Sequence, residues 1–140
     1  MPGRDEGKGT DVKRALVIED DQFIRDNVVE LLCAEGFDAV AAHNGRVGLD
    51  AALRDPPALV ICDIRMPELD GFQVLEALRQ NPSTRSVPFI FLSAKADRAD
   101  VRAGMNMGAD DYVTKPFTRA ELLEAVRARI VRQASLSATP

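Results

Sequence analysis

Short apolar runs alternate along this chain with stretches in which apolar residues recur every three or four positions. Runs rich in Val, Ile, Leu and Phe occupy residues 14 to 19, 37 to 42, 58 to 63, 87 to 93 and 110 to 114, and runs of this length and composition predict strands. A helical pattern follows each one. After the first strand, Ile24, Val28, Leu31 and Leu32 share one face, and Gly36 supplies a stop. A weaker pattern after His43-Asn44-Gly45 predicts a second helix with Val47, Ala51 and Ala52 as its apolar stripe. The third helix carries Phe72, Leu75 and Leu78 and ends near Asn81-Pro82, because proline disfavours helical geometry in the residue before it. The fourth, from about Arg98 to Met107, contains Gly104 and has the lowest intrinsic stability, so it is the natural mobile element. Thr118 with Glu121 forms a capping-box pair that opens the fifth, which then aligns Leu122, Val126 and Ile130.

Strands this continuously apolar, alternating with helices, imply a parallel sheet covered on both faces through right-handed crossovers. A chain of 140 residues, 46% hydrophobic and 29% charged, suits one core and one domain. A net charge of -4, with no tryptophan and one tyrosine, argues against direct nucleic-acid binding by this segment and against attraction to an anionic membrane. Cys33 and Cys62 read as small buried hydrophobes, which fits a reducing, cytoplasmic location. Residues 1–13 are polar and Gly-rich and read as a disordered leader or expression remnant. Residues 134–140 read as a tail or the start of a linker, leaving 14–133 as the domain.

Four of the runs end in residues that phosphoryl chemistry uses: Glu19, Asp20 and Asp21 after the first, Asp63 at the end of the third, Ser93 at the end of the fourth, Lys115 just after the fifth. In a parallel sheet these ends meet in one crevice. Adjacent carboxylates repel by roughly 4 kcal/mol per pair at 4 Å and an effective dielectric near 20, and a divalent cation is the simplest compensation. Oxygen-only donors at a solvent-open edge suit Mg²⁺. A solvated acidic turn would explain Glu19 to Asp21 alone, but Asp63, Ser93 and Lys115 at the other strand ends favour a site. Asp70-Gly71 already provides the turn and cap of the third helix, which frees Asp63 from a capping role. Ser93 then offers a donor, and Lys115 a fixed positive charge, for transferred oxygens.

From Arg14 to about Gln133 the chain resembles the receiver domain of bacterial two-component response regulators. The resemblance rests on an acidic pair after the first strand, Asp63 followed by Met66-Pro67 and Asp70-Gly71, Ser93-Ala94, and GADDYVTKPF around Lys115. These elements are specific together where each alone is not. The resemblance implies a flavodoxin-like doubly wound α/β fold, a five-stranded parallel sheet of order 2-1-3-4-5 with five helices. It further implies that Asp63 is the phosphoacceptor, that Asp20 and Asp63 ligate Mg²⁺ with Glu19 acting through water, and that Arg65 lends its backbone carbonyl to the metal. Ser93 and Lys115 would bind the phosphoryl oxygens, Ala94 would keep the approach open, and the Lys115–Pro116 bond would be cis. Tyr112 stands at the aromatic switch position, turning inward when Ser93 is drawn to the phosphoryl group. Arg65 and Lys95 lie two residues beyond site residues, at the rim where the family tunes autodephosphorylation. The partners implied are a sensor histidine kinase or phosphotransfer protein and an output domain or target of unassigned kind. The family also includes phosphorylation-dependent homodimers. Val101, Asn106 and Ala125 leave incomplete the charge pairs of the winged-helix DNA-binding subfamily, so that output is not assigned from the sequence.

Two other readings are weaker. An aspartyl-nucleophile phosphatase wants a second acid two residues after the nucleophile, where this chain has Arg65. A flavin or dinucleotide carrier wants a phosphate-binding loop after the first strand, where three acids would repel phosphate.

Overall fold

The computed structural model describes residues 13–94 and 97–138, with side chains described to residue 130. Strands β1 (Arg14–Ile18), β2 (Asp38–Ala42), β3 (Leu59–Asp63), β4 (Phe89–Ser93) and β5 (Asp111–Thr114) alternate with helices α1 (Gln22–Ala34), α2 (Gly45–Arg54), α3 (Gly71–Gln80), α4 (Arg98–Asn106) and α5 (Arg119–Ala138). The five strands form one parallel sheet in the order β2-β1-β3-β4-β5, as the resemblance implied.

Because strand side chains alternate between faces, the sheet divides the core in two. Leu16, Ile18, Val60, Cys62, Phe89 and Phe91 pack on the side of α2, α3 and α4. Ala15, Val17, Leu59, Ile61, Ile90 and Leu92 pack against α1 and α5 on the other. The central strands β3 and β4 are buried along their whole length, whereas the edge strand β2 is largely exposed. The continuous burial of β3 and β4 is the parallel-sheet signature read in the sequence, whereas the exposure of β2 was not read there.

Four of the helices begin where polar caps stand. Asp21 accepts from the Ile24 N–H at the start of α1, Asn44 from the Val47 N–H at α2, and Asp70 with Gln73 makes a reciprocal capping box at α3. Thr118 and Glu121 exchange the same pair of bonds ahead of α5. Three details differ from the sequence reading. The buried face of α2 is Gly48, Leu49 and Ala52, with Val47 exposed. This helix lies so close to β1 that a Cβ on Gly48 would sit 2.4 Å from Ile18 Cδ1, and periodicity cannot anticipate such close approach. Cys33 is exposed on α1 while Cys62 is buried, so only the second is a core hydrophobe. Finally, α5 continues to Ala138, past Gln133.

Candidate functional site

The register of the sheet brings the predicted residues to one edge. Ile18 pairs with Cys62, Asp63 with Leu92 and Ser93 with Thr114, so Glu19, Asp63, Ser93 and Lys115 all stand at carboxyl ends of neighbouring strands. The backbone N–H of Lys115 donates to Ser93 O at 2.7 Å, and the Glu19 N–H to Ala42 O at 3.1 Å, which continues the ladder one residue into the loops. Lys115–Pro116 is cis.

Lys115 is the hub. Its Nζ lies 3.1 Å from Glu19 Oε1 and 3.2 Å from Asp63 Oδ1. The contact with Asp63 is a hydrogen bond, while that with Glu19 is an ion pair that leaves Oε1 without a hydrogen bond. Glu19 Oε2 accepts from the Asp21 N–H at 3.1 Å, and the Glu19 carbonyl accepts from Arg25 Nη1 at 2.9 Å. Glu19 is fully buried and Asp63 nearly so, and Asp20 is exposed. Donor atoms of these three carboxylates lie within 4.8 Å of one another.

Electrostatics follow from this crowding. Burial, and then the neighbouring charge of Asp63, raises the Glu19 carboxyl from 4.5 to about 7. Burial raises Asp63 as well, with Lys115 pulling against it. Burial works against the Lys115 ammonium, but Asp63 and Glu19 outweigh it and hold the group above its ordinary value. Two of the three clustered carboxylates thus share one ammonium, and Asp20 adds a third negative charge beside them. Their oxygen-only, negatively overcharged arrangement fits a hard divalent cation such as Mg²⁺. The Ser93 hydroxyl is buried and has no hydrogen-bond partner among the described residues, an arrangement that ordinarily costs about 1–3 kcal/mol. Beside it, a groove of about 780 Å³ runs between α4 and β5, bounded by Ser93, Val101, Met105, Tyr112 and Thr114. Tyr112 is 45% exposed at its outer side.

The sequence reading missed two features at the edge of the site. Asp21 caps α1 and is thereby a structural acid; an aspartate directly before a helical pattern was the available signal. Asp97 is 3% exposed, accepts from the Ala94 N–H at 3.0 Å and from Arg65 Nε at 2.7 Å, and had no signal in the sequence. Burial alone would raise its carboxyl, but Arg65 and the Ala94 amide hold it below the ordinary range. Arg65 also pairs with Asp100, so its guanidinium is tied to α4 and does not stand free at the rim. Lys95 lies outside the described residues.

Comparison with known proteins agrees with this geometry. The family model described as "Response regulator receiver domain" matches residues 15–127. The transcriptional regulatory protein PcoR of Escherichia coli is 40% identical over 128 residues, spanning 91% of this chain and 56% of that protein. The DNA-binding response regulator MtrA of Mycolicibacterium smegmatis is 39% identical over 120 residues, spanning 86% and 51%. The chain therefore spans about half the length of the curated relatives it matches. Among solved structures, a response regulator receiver domain protein from Clostridium thermocellum superposes with a TM-score of 0.82 at 28% identity, covering 89% of this chain and 99% of that one. Chemotaxis protein CheY4 of Vibrio cholerae gives 0.79 at 25% identity, covering 84% and 98%. With the family matched over most of its length, the chain belongs to the response regulator receiver domains of two-component signalling.

Proposed function

We propose that this domain is a phosphorylation switch in which Asp63 takes a phosphoryl group from the phosphohistidine of a sensor kinase or phosphotransfer protein. An Asp63 carboxylate oxygen attacks phosphorus; a P–O bond forms as the P–N bond breaks, and the imidazole nitrogen keeps the bonding pair. The Lys115 ammonium, already in contact with Asp63, follows the charge onto the transferred oxygens. Ser93 donates its hydroxyl proton to one of those oxygens. The observation that carries this reading is that buried hydroxyl, without a partner among the described residues, on the strand adjacent to the one ending in Asp63.

Asp20, Asp63 and the Arg65 backbone carbonyl would hold Mg²⁺, with Glu19 beside them, as the clustered donors of the three acids support. When bound, the cation neutralises carboxylate and phosphoryl charge. Water later attacks phosphorus, the acyl P–O bond breaks, inorganic phosphate leaves and Asp63 is restored. Arg65 and Lys95 set the rate of that reset. As Ser93 moves to the phosphoryl group, Tyr112 turns from its exposed position into the groove beside Ser93, which alters the α4-β5-α5 surface. The relatives named as transcriptional or DNA-binding regulators make control of a DNA-binding output the reading for the downstream step. The domain itself, with a net charge of -4 and no tryptophan, is read as acting through that output and not through its own contact with nucleic acid.

Acetyl phosphate with Mg²⁺, followed by intact mass, tests the reading. One phosphoryl group should add to the wild type and none to Asp63→Asn; uptake equal in the two proteins would reject it.

A further inference from the structure

The two ends of α4 are held by different means. Packing contributes little, since only Val101 and Gly104 are buried along the helix. At the C-terminal end, Arg79 from α3 donates to the Gly108 carbonyl (Nε at 3.2 Å, Nη2 at 2.8 Å) and to Val87 O at 2.8 Å. It also meets Asp110, whose carboxylate accepts from the Phe89 N–H at 2.8 Å. That network ties the helix end to the sheet through a guanidinium only 19% exposed.

At the N-terminal end, no half-buried guanidinium of that kind is found among the described residues. Asp97 stands at the cap position but makes no side-chain capping bond to α4. Its carboxylate instead joins the Ala94 N–H to the Arg65 guanidinium, whose other arm pairs with Asp100 in the first turn. Arg65 is 69% exposed and arises two residues after Asp63. A guanidinium in water exchanges partners readily, and a phosphoryl group bearing a charge of about -1.5 to -2 is a stronger partner than a carboxylate.

We propose that Arg65 is a releasable latch. It ties the N-terminal end of α4 to the phosphoacceptor loop, and a phosphoryl group on Asp63 draws the guanidinium away. Asp97, left buried without its cation, must move toward solvent, and α4 swings about the end held by Arg79. The latch rests on the reading of Asp63 as the phosphoacceptor.

Amide hydrogen exchange on wild type and Arg65→Ala, each before and after acetyl phosphate with Mg²⁺, tests it, with intact mass recording phosphoryl uptake separately. Unphosphorylated Arg65→Ala should exchange roughly fivefold or more faster than wild type over residues 98–103, with 106–112 unchanged, since an exposed pair has only local influence. Phosphorylated wild type should show the same local rise, and phosphorylation of Arg65→Ala should add little. Unchanged exchange over 98–103 in unphosphorylated Arg65→Ala overturns the latch, as does equal loosening of both ends. Protection of 98–103 in wild type of confirmed phosphorylated mass also overturns it. Wild type that takes up no phosphoryl group would overturn the parent reading, and with it the release step; that failure appears in the mass and not in the exchange.

Discussion

Replacing Glu19 with Gln should make the metal-free protein more stable at alkaline pH and flatten its pH profile. Glu19 is completely buried, with its carboxyl raised from 4.5 to about 7 by burial and then by the charge of Asp63. The folded protein therefore keeps a proton that the unfolded chain has released between those two values. The stabilisation this proton confers is fully present below 4.5 and is lost as pH rises through about 7. A raise of this size corresponds to on the order of 3 kcal/mol. The substituted amide keeps the shape of the side chain and carries no charge at any pH; with its oxygen kept on the Asp21 N–H, its NH2 replaces the oxygen that pairs with Lys115. Urea unfolding in EDTA at about pH 5 and about pH 8 measures the effect. The wild type should lose on the order of 3 kcal/mol relative to Glu19→Gln between those conditions. Added Mg²⁺ at the higher pH should recover more stability in the wild type, whose site keeps all three carboxylates. Parallel pH profiles in EDTA would refute the reasoning, because they would mean Glu19 is ionised in both states at no cost.

Two further outcomes follow from packing and exposure. In Gly104→Ala the new Cβ would lie 2.4 Å from Phe91 Cε2, and Phe91 is wedged edge-on between Phe72 and Phe89 at 5.5 and 5.0 Å. Overpacking by about 1–3 kcal/mol should exceed the gain of about 1 kcal/mol in helix propensity, so the urea midpoint should fall; a rise would show that α4 stands off the sheet. Tyr112 is the chain's only tyrosine and there is no tryptophan, so its fluorescence reports one position. Acrylamide should quench it less after phosphorylation if the ring turns inward, and unchanged quenching would remove Tyr112 from the switch.

The strand ends were legible because apolar runs terminate visibly, and a parallel sheet leaves their carboxyl ends no choice but one shared edge. Asp63, Ser93 and Lys115 could thus be brought together from sequence. The capping boxes at Asp70 and Thr118 were equally visible, being local in sequence. What escaped depends on distances that periodicity does not carry. The buried face of α2 is set by the close approach of Gly48 to Ile18, and Val47 next to that glycine faces outward. Arg65 and Asp97 meet across 32 positions of sequence, and nothing near either announces the other. The sequence placed Arg65 at the rim, and its guanidinium is indeed 69% exposed, but it is paired there with two acids of the α4 end that the sequence did not announce.

The central claim, that Asp63 carries the phosphoryl group, is tested most directly by locating the modified atom. Wild type treated with acetyl phosphate and Mg²⁺ can be reduced with borohydride, which converts an acyl phosphate to an alcohol, then digested and sequenced by mass spectrometry. The account predicts a reduced residue at Asp63 alone, with Glu19, Asp20 and Asp21 intact. Reduction at any of those three acids with Asp63 unmodified would contradict it.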